Sequence, residues 1–528
     1  MLGPIFFFGI SILLISYLIL YPVVEYFRDP KGLRKYPNLN TFSGLTNLSF
    51  IYEAHQGFRS KKLLQAHQNA PVIRIGPNSL SYGDPKAIKD IYGHGTPCDK
   101  DRFYSVLAGS HYHLADVIDK PDHARKRKIL SSAYALKNLE GWEHKVADKC
   151  ERLVRAFDTR CTGPPGGSEE KLISSDDLTV DYRAWTNFFT IDAIADIGLS
   201  ERLGFLDAGN DSCMAERMDG TLYTVPSYRA SLHATARAQS NLVWGYDWYP
   251  MLVKLSKIFS RRFREYWRLN EGWNDIVWHR TCKRLRRYQA GEPLDDFFAS
   301  LMENKSGHMN MMEFGEIMAE VSIMMNAGSD TTALAMNNVM FLLLKNPRCM
   351  AKLREELDAV LDPEDVVAPY DKIRYLPYLR ACLDEALRIY PPTTFGLPRR
   401  TPPDGATIMN DYVAGDTTVS ISAYVAHRNP SLFPDPESFQ PERWLGEKGK
   451  ELQPYFISFS AGARGCIGRN ISYLEQSVVL STVIHRYELA LLSVDWEPAR
   501  WESFNLMSGP MPVKLWKRTF ESEKLVTS

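Results

Sequence analysis

The chain opens with a long run of uncharged, mainly apolar residues. The first charged side chain is Glu25, and residues 5–24 alone would form a helix about 30 Å long, enough to cross the hydrocarbon core of a bilayer. No basic residue precedes the run and no small-residue cleavage site follows it, which favours a retained transmembrane anchor over residues 1–24 rather than a cleaved signal peptide. Basic residues follow between positions 28 and 35, and this asymmetry predicts that the rest of the chain is cytosolic.

After the anchor the pattern changes to that of a globular protein. Prolines within residues 25–44 predict a hinge, and a globular body begins near residue 45. Apolar and polar residues alternate over Val72–Ile75 and Leu80–Tyr82 around a Gly-Pro-Asn turn, which predicts a β-hairpin. A helix is predicted to open at Asp84-Pro85.

The remaining pattern is mainly helical. Helical periodicity dominates from about residue 120 to about 390, with one solvated loop predicted near 162–177. Short strands are predicted at Gly405–Met409 and Thr418–Ser422, and an amphipathic helix from Asn470 to about Tyr487. The pattern therefore predicts a mainly α fold with small β-sheets, preceded by one N-terminal transmembrane helix.

The most informative predicted helix is Met311–Asn346, which is apolar on most faces and stops at Pro347. Its acidic residues argue against a second membrane span. In its middle, Ala327–Thr332 contains a glycine, which costs roughly 1 kcal/mol relative to alanine in a helix, followed by two β-branched threonines. Two interpretations remain open, a packing glycine beside capping-type residues, or a local bulge with a carboxylate and a hydroxyl placed to hand protons to a ligand.

Composition excludes several classes of protein. With 45% hydrophobic and 24% charged residues, the chain can bury a large core and is not disordered. The 63 basic and 63 acidic residues balance, which removes the basic excess expected of a nucleic-acid-binding protein. No nucleic-acid partner is therefore predicted.

The cysteines predict neither a disulfide framework nor a structural zinc site, because the chain contains no C-x-x-C pair. The eight cysteines are Cys98, Cys150, Cys161, Cys213, Cys282, Cys349, Cys382 and Cys466. Cys466 stands apart in the segment Phe459–Gly468, which matches F-x-x-G-x-R-x-C-x-G. The glycines let the backbone approach a flat macrocycle, the cysteine can supply a thiolate ligand, and Arg464 can bind a propionate. The helix predicted from Asn470 would favour the thiolate through its positive N-terminal end.

By this segment the chain resembles the cytochrome P450 family of haem-thiolate monooxygenases, and the resemblance runs over nearly the whole chain. It implies a cytochrome P450 fold, with one haem-thiolate catalytic domain over residues 45–528. It also implies haem b as cofactor, Cys466 as the ligand of its iron, and Phe459 and Gly468 beside the haem. Ala327–Thr332 resembles the family's A/G-G-x-D/E-T segment, in which Asp330 and Thr331 would be the catalytic pair that steers protons and positions oxygen.

A structural cluster is implied by two further segments. Glu385 and Arg388 resemble the family's E-x-x-R pair, which interlocks with the arginine of a P-E-R segment, here Arg443. Since E-x-x-R also occurs at Glu265–Arg268 and Glu497–Arg500, order and spacing select the first pair. Two departures from the family pattern are Ser460, where many members have glycine, and Trp444, which replaces the commoner phenylalanine.

The resemblance also assigns haem propionate ligands. Residues 122–128 resemble the family's C-helix, which picks His123 and Arg127. Arg399 resembles a third propionate ligand, with neighbouring Arg400 as the alternative. The other basic residues of the C-helix segment are interpreted as a solvated basic face that attracts an acidic electron-transfer partner; they are Arg125, Lys126 and Lys128.

The implied function is a membrane-anchored monooxygenase that inserts one oxygen atom from O2 into an organic substrate. Its electrons would come from NADPH through an NADPH-cytochrome reductase, with cytochrome b5 as a second candidate partner. The anchor implies a single-pass protein of the endoplasmic reticulum membrane, in contact with lipid, whose catalytic domain faces the cytosol. Two alternatives remain, a haem-thiolate isomerase or dehydratase and a haem-binding or sensor protein without turnover. The Asp330-Thr331 pair favours oxygen activation.

The sequence constrains the identity of the substrate less than it constrains the class of reaction. Ile91–Gly95, Asp122–Tyr134 and Tyr455–Gln476 resemble the fungal branch that contains benzoate para-hydroxylases, and related fungal sequences oxidise polyketides, terpenoids or alkaloids in secondary metabolism. A small apolar or aromatic substrate is expected. A benzoate site would need a donor for the carboxylate, and His111 and His113 are the candidates. The alternatives are that both are ordinary surface or core histidines, which is favoured, or an H-x-H zinc site, for which further ligands are wanting. Family topology implies a distal pocket lined by Phe103–Asp116, parts of Leu206–Trp248, Ser322–Thr332, Thr393–Leu397 and Asn505–Ser508.

Overall fold

The computed structural model describes residues 16–17, 19–165, 173–293, 295–304 and 306–519. The predicted anchor over residues 1–24 lies mostly outside these ranges, and within them no helix is long and apolar enough to cross a membrane. Residues 166–172 of the predicted loop also lie outside them. The predicted division into anchor, hinge and catalytic domain stays a prediction.

Helices make up most of the described chain. They are α1 (16–17 and 19–28), α2 (Leu48–His55), α3 (Arg59–His67), α4 (Ala87–Tyr92), α5 (Lys120–Ser131), α6 (Leu136–Gly141), α7 (Glu143–Asp158), α8 (Tyr182–Leu199), α9 (Phe205–Ala208), α10 (Tyr228–Leu242), α11 (Tyr249–Phe259), α12 (Arg261–Gln289), α13 (Phe297–Met302), α14 (Phe314–Lys345), α15 (Pro347–Asp358), α16 (Tyr370–Ile373), α17 (Pro377–Ile389), α18 (Ala423–Ala426), α19 (Gly446–Leu452) and α20 (Arg469–Arg486). Short 3-10 helices lie at Leu33–Lys35, Arg102–Val106, Ser175–Asp177, Val243–Trp248, Pro441–Trp444, Gln453–Tyr455 and Gly462–Arg464.

The strands are short and form small sheets. They are β1 (Val72–Gly76), β2 (Ser79–Tyr82), β3 (Asp99–Lys100), β4 (Val180–Asp181), β5 (Cys213–Glu216), β6 (Leu222–Val225), β7 (Arg399–Arg400), β8 (Ala406–Ile408), β9 (Asp411–Val413), β10 (Thr418–Ile421), β11 (Tyr487–Ala490), β12 (Arg500–Glu502), β13 (Leu506–Ser508) and β14 (Pro512–Lys517). The main sheet has the order β1-β2-β10-β7-β3, in which β2 and β10 run parallel. A second sheet has the order β11-β14-β4, and β5-β6, β8-β9 and β12-β13 are antiparallel pairs.

The mainly helical fold with small sheets is confirmed, and so are its predicted landmarks. The predicted hairpin is the antiparallel pair β1 and β2. The predicted strands near 405–409 and 418–422 are β8 and β10, and the helix expected from Asn470 is α20, which begins one residue earlier. These elements were predictable because each rests on local periodicity bounded by turn residues.

Helix α14 is the centre of the molecule. Its side chains are buried without a break from Thr332 to Leu343, because α8, α17 and α20 pack around it. This burial explains why the sequence of the helix is apolar on most faces. The predicted start at Met311 is three residues early, since that residue has a left-handed φ of 49°.

The helix runs continuously through residues 327–332, so the interpretation of a local bulge is wrong. Gly328 instead has a packing role, because a Cβ there would lie 2.7 Å from Cγ1 of Ile194 in α8. A Cβ at Gly198 of α8 would in turn overlap the side chain of Met324 in α14. Each glycine therefore accommodates a large side chain of the other helix and lets α8 and α14 approach closely.

Candidate active site

An internal cavity of about 340 Å³ lies where α5, α14 and α20 meet the loop that precedes α20. The residues predicted beside the haem, Phe459, Cys466 and Gly468, all line it, and α14 contributes Ala327 and Thr331. Much of the remaining wall is apolar or aromatic, and includes Leu114, Ile194, Leu301, Ile323, Met324, Phe395, Leu397 and Phe504. The cavity thus joins a thiol to a largely apolar space.

Cys466 is exposed, unlike the other seven cysteines, and its exposed surface faces this cavity. Its backbone N–H donates to the carbonyl of Phe459 over 2.8 Å, and α20 begins three residues later at Arg469. Burial raises the pKa of the thiol, while backbone N–H groups of Gly468 and Arg469 and the charge of Arg127 act to lower it. The start of α20 therefore favours the thiolate, as predicted, but burial outweighs it in the polypeptide alone.

The loop that carries Cys466 contains two left-handed residues. Ser460, where many members of the resembled family have glycine, adopts a φ of 57°, and Gly462 adopts a φ of 64°. A Cβ at Gly462 would overlap the carbonyl oxygen of Tyr92. The loop can therefore pack against α4 only with glycine at 462.

Five basic side chains line the same cavity, namely Lys100, His123, Arg127, Arg399 and Arg464, and we call them the basic cluster. Within the described residues none of the five forms an ion pair with a carboxylate. Burial, followed by the charge of the neighbouring members, lowers the pKa of His123 to about 4 and that of Arg464 to about 10. The cluster therefore turns N–H donors without carboxylate partners, among them three guanidinium groups, towards the cavity, which fits an anionic ligand.

Helix α5 and the Cys466 loop hold most of the cluster in place. The side chain of Asp119 caps α5 by accepting from the backbone N–H of Asp122 over 2.8 Å, and a proline lies in the first turn. Arg127 of this helix donates to the carbonyl of Gly465 over 2.7 Å. Arg464 donates to the carbonyls of Val117 and Ile118 over 2.7 and 2.8 Å, which ties the loop to the segment before α5.

Lys100 and Arg399 are brought together by strand pairing. Lys100 of β3 lies opposite Arg399 of β7 in antiparallel register. Lys100 is buried, donates to the carbonyl of Ala115, and lies over the ring of Tyr104 at 4.2 Å. Sequence reasoning missed Lys100, because no motif marks a two-residue strand. The alternative ligand Arg400 does not line the cavity and pairs instead with Asp416 at 2.9 Å.

These residues fit a haem. The two propionate carboxylates of a haem would pair with the basic cluster, and the thiol of Cys466 in the same cavity is the ligand type that haem iron accepts. The backbone N–H groups at the start of α20 face that sulfur. The basic cluster would hold the propionates and Cys466 the iron.

The predicted catalytic pair is divided between two environments. Thr331 lines the cavity and donates to the carbonyl of Ala327 over 2.8 Å. Asp330 is buried, does not line the cavity, and accepts from Arg183 over 2.9 Å and from His233 over 3.1 Å. Burial would raise the pKa of Asp330, but the charges and hydrogen bonds of His233 and Arg183 lower it well below its usual range.

The predicted structural cluster forms as expected. Arg388 donates to both carboxylate oxygens of Glu385 over 2.8 Å each, and Arg443 donates to the same carboxylate over 3.3 Å. Trp444, which replaces the family's commoner phenylalanine, donates its indole N–H to Glu385 over 2.9 Å. This indole contact was not predicted, although a tryptophan directly after the P-E-R segment was visible in the sequence.

The two histidines considered as carboxylate donors lie elsewhere, so that interpretation is wrong. His111 contacts the side chains of Ser110 and Glu313, and neither His111 nor His113 lines the cavity. His113 lies 3.2 Å from Asp116, and burial lowers its pKa to about 3, further helped by the charges of Lys100 and Lys126.

Three other expectations are corrected. Lys126 is not part of a solvated face, because it is 2% exposed and pairs with Glu316 and Glu320 of α14. Of the described residues in Leu206–Trp248, none lines the cavity, whereas α13 contributes Phe297 and Leu301. The C-terminal hairpin reaches the cavity through Phe504 rather than through Asn505–Ser508.

Comparison with known proteins places this geometry in a family. The family model for cytochrome P450 matches residues 45–515. A benzoate 4-monooxygenase of Aspergillus niger is 29% identical over 493 residues, which is 92% of each chain. A cytochrome P450 monooxygenase of Aspergillus terreus is 31% identical over 93% of this chain and 94% of its own.

Further matches agree. A cytochrome P450 monooxygenase of Hormonema carpetanum is 30% identical over 83% of this chain and 82% of its own. The crystal structure of a cytochrome P450 has the same fold, with a TM-score of 0.68 and 19% identity over 89% of this chain and 96% of the other. Family membership implies a haem iron and a redox partner that supplies electrons. The chain therefore belongs to the cytochrome P450 family and is a fungal monooxygenase, an oxidoreductase.

Proposed function

We propose that this monooxygenase oxidises a small apolar or aromatic substrate of fungal secondary metabolism with electrons from NADPH. The balanced reaction is RH + O2 + NADPH + H+ giving ROH + H2O + NADP+. The observation that carries the proposal is one cavity that combines the thiol of Cys466, the basic cluster and the hydroxyl of Thr331. The haem held there would supply oxygen activation at its iron.

The polypeptide's own part is to bind, orient and protonate. Ile323, Met324 and Ala327 of α14 form an apolar wall beside Thr331, which excludes bulk water from the reacting position. The hydroxyl of Thr331 lines this space and can pass a proton into it. Asp330, one residue earlier, is the acid that would resupply that proton.

The walls support a neutral substrate. Phe395, Leu397 and Phe504 surround the space near α14, and the carboxyl groups of Glu320 and Glu475 also line the cavity. An aromatic carboxylate placed there would lose its hydration without a cationic partner, which is costly. A polyketide, terpenoid or alkaloid of low charge suits such walls.

Benzoate para-hydroxylation is the second candidate, because a relative over 92% of the chain is a benzoate 4-monooxygenase. The cavity's basic side chains all belong to the basic cluster, so a benzoate carboxylate would have to compete with the haem propionates for them. A Soret titration of the holoenzyme with benzoate and with methyl benzoate tests this. A saturable high-spin shift with benzoate that is stronger than with the ester supports benzoate; a stronger shift with the neutral ester supports the first candidate.

We further propose that an NADPH-cytochrome reductase, and in a second role cytochrome b5, docks beside α5. Lys128 is exposed on this helix, and Arg125 is exposed as well although it pairs with Asp122 and Glu316. Arg127 of the same helix contacts the Cys466 loop. Exposed cations at that position favour an acidic partner and a short path for electrons. Lys126 takes no part, because it is buried in ion pairs with α14.

The proposed location is the cytosolic face of the endoplasmic reticulum membrane, with residues 1–24 as a single-pass anchor. Support comes from the uncharged N-terminal run and from exposed apolar side chains on two helices. Leu48 and Tyr52 of α2 are each 62% exposed, and Ile258 and Phe259 of α11 are 63% and 81% exposed. Gly245 lies between Ile51 of α2 and Leu252 of α11, so the two helices are neighbours and could contact lipid together.

The experiment that tests the function uses the purified full-length holoenzyme, a fungal NADPH-cytochrome reductase and isotopically labelled O2. A monooxygenase incorporates one labelled oxygen atom into the product while NADPH is consumed. An isomerase or dehydratase forms product without NADPH and without label, and a sensor protein forms none. Cytosolic orientation is tested by protease treatment of intact microsomes, in which the catalytic part is cleaved if it faces the cytosol.

A further inference from the structure

A buried cation lies behind one wall of the cavity. Arg59, the first residue of α3, has a side chain 2% exposed and does not line the cavity itself. Its Nε lies 3.7 Å from the carboxylate of Glu502 and has no hydrogen-bond partner within the described chain. Burial lowers the pKa of Arg59 to about 10, so the guanidinium keeps its charge at neutral pH.

The guanidinium is surrounded by aromatic rings. Its Cζ lies 4.4 Å from the ring centre of Trp244, 4.9 Å from that of Phe395 and 5.5 Å from that of Phe50. At these distances a cation is attracted by the negative face of a ring. Of the three rings, that of Phe395 is the one that lines the cavity. The ring of Phe395 therefore stands between the buried cation and a bound ligand.

One buried carboxylate fixes both the cation and this ring. Glu502 of β12 accepts from the hydroxyl of Thr394, the residue before Phe395, over 2.8 Å. It also accepts from the backbone N–H of Ser60, the residue after Arg59, over 3.3 and 3.4 Å to its two oxygens. The side chain of Glu502 is 3% exposed. Arg59 and Phe395 are therefore held at a fixed separation.

Neighbouring rings limit the movement of Phe395. The rings of Trp244 and Phe504 lie 5.7 and 5.2 Å from it, inclined at 87° and 80°. Phe504 also lines the cavity, and Phe395 is 3% exposed. Phe395 therefore presents one fixed surface to a ligand.

A cation on one side of an aromatic ring changes what the other side binds. The cation draws the π electrons towards itself, which makes the opposite surface of the ring less negative. Such a surface repels a positive charge and attracts a π system that is rich in electrons. Phe395 thereby conveys the charge of Arg59 to the cavity, although Arg59 itself lies outside it.

We propose that Arg59 is a specificity-determining residue that acts through Phe395 and makes the cavity prefer electron-rich aromatic substrates. Hydroxy- and methoxy-substituted arenes are ligands of this class, whereas electron-poor rings and cationic amines are disfavoured. Arg59 contacts no substrate, so it is a positioning residue rather than a catalytic one. The inference names the substrate class of the proposed function and rests on that function.

The experiment titrates the Soret band of the full-length holoenzyme with two 4-phenylimidazoles of similar size. One carries an electron-donating para-methoxy group and the other an electron-withdrawing para-trifluoromethyl group. The readout is the ratio of the two dissociation constants, because the different basicity of the two imidazoles cancels when proteins are compared. In Arg59→Met we expect the preference for the methoxy ligand to fall about threefold, a part of what a desolvated cation–π contact contributes. Arg59→Lys, which keeps a cation, should retain most of the preference.

Phe395→Leu separates an effect through the ring from an effect through packing. This change should lower the preference by itself, and adding Arg59→Met to it should change nothing further. A change in cavity size alone would alter both dissociation constants by the same factor and leave their ratio unchanged. Arg160→Met is the matched control, because Arg160 lies over the ring of Trp185 at 4.5 Å and neither residue lines the cavity.

An unchanged ratio in Arg59→Met overturns the proposal, and so does an equal loss of preference in Arg160→Met. If Arg59→Met does not retain haem, Glu502→Gln is compared with the double variant that carries both changes and leaves neither charge buried and unpaired. The same outcomes apply to that comparison. Because the titrations contain no NADPH, failure of the proposed oxidation leaves them unaffected, and the two failures are distinguishable.

Discussion

Replacing Glu385 by glutamine removes a carboxylate that buried donors share. Arg388 donates to it twice, and Arg443, the indole of Trp444 and the backbone N–H of Gln440 donate once each. The side chains of Glu385 and Arg388 are 0% exposed, and that of Arg443 is 5% exposed. Glutamine keeps the shape, but it turns an NH2 group towards donors and leaves two guanidinium groups without a counter-charge.

The expected magnitude follows from this burial. Removing one partner of a buried ion pair costs about 3–5 kcal/mol, because the remaining charge stays uncompensated. At about 1.4 kcal/mol per factor of ten, the ratio of folded to unfolded protein falls by roughly a hundredfold to several thousandfold. Trp444→Phe removes one donor to the charged group and should cost about 1.5–3 kcal/mol.

The assay is unfolding in guanidinium chloride, followed by tryptophan fluorescence and by the Soret band of the bound haem. Glu265→Gln is the matched control, because it has the same E-x-x-R spacing with Arg268, yet both side chains are more than half exposed and the change should be without measurable effect. The expected order of loss is Glu385→Gln, then Trp444→Phe, then the control. A Glu385→Gln protein with the wild-type midpoint and full haem content would refute the reasoning.

Three further changes have defined outcomes. Thr331→Ala should divert the electrons of NADPH from product to hydrogen peroxide, measured as peroxide released per NADPH consumed, whereas Thr331→Ser should keep NADPH consumption coupled to product. Full coupling in the alanine variant would count against the role of this hydroxyl. Burial, followed by the charges of nearby arginines, lowers the pKa of His427 from 6.5 to about 3, and its Nε2 accepts from the backbone N–H of Ile457 over 2.9 Å. The stability that the neutral form of this histidine contributes is present above pH 6.5 and is lost as the pH falls towards 3, by about 1.4 kcal/mol per pH unit. His427→Gln should flatten the dependence of the denaturation midpoint on pH over this range. An unchanged pH dependence would contradict the role of His427. Gly328→Ala should cost about 1–3 kcal/mol by overpacking against Ile194, and an increase in the denaturation midpoint would show instead that helix propensity decides.

Local sequence motifs were sufficient to predict the cavity-lining residues that lie within one segment. Cys466, Phe459 and Gly468 line the cavity together because they share one loop, and His123 and Arg127 do so because four residues return to the same face of a helix. Lys100 depends instead on the pairing of β3 with β7, two-residue strands far apart in the chain. No periodicity can be read from strands so short.

The remaining differences between the sequence predictions and the structure come from tertiary packing. The basic segment around Lys126 predicts a surface cation at this position, but α14 places Glu316 and Glu320 against its side chain and buries it. The orientation of Asp330 likewise follows from α8 and α10, which present Arg183 and His233 to it, and not from its own helix. Contacts between distant segments leave no trace in the local pattern, so sequence reasoning could name these residues but not their partners.

The central claim is that Cys466 is the haem ligand, and the ferrous carbon monoxide spectrum of the purified protein tests it most directly. The wild type should show the red-shifted Soret band of a thiolate-ligated haem, because Cys466 is the cysteine that lines the cavity. Cys466→Ser should lose that band, and Cys282→Ser, which changes a half-buried cysteine elsewhere, should keep it. A Cys466→Ser protein that retains the red-shifted band would contradict the account.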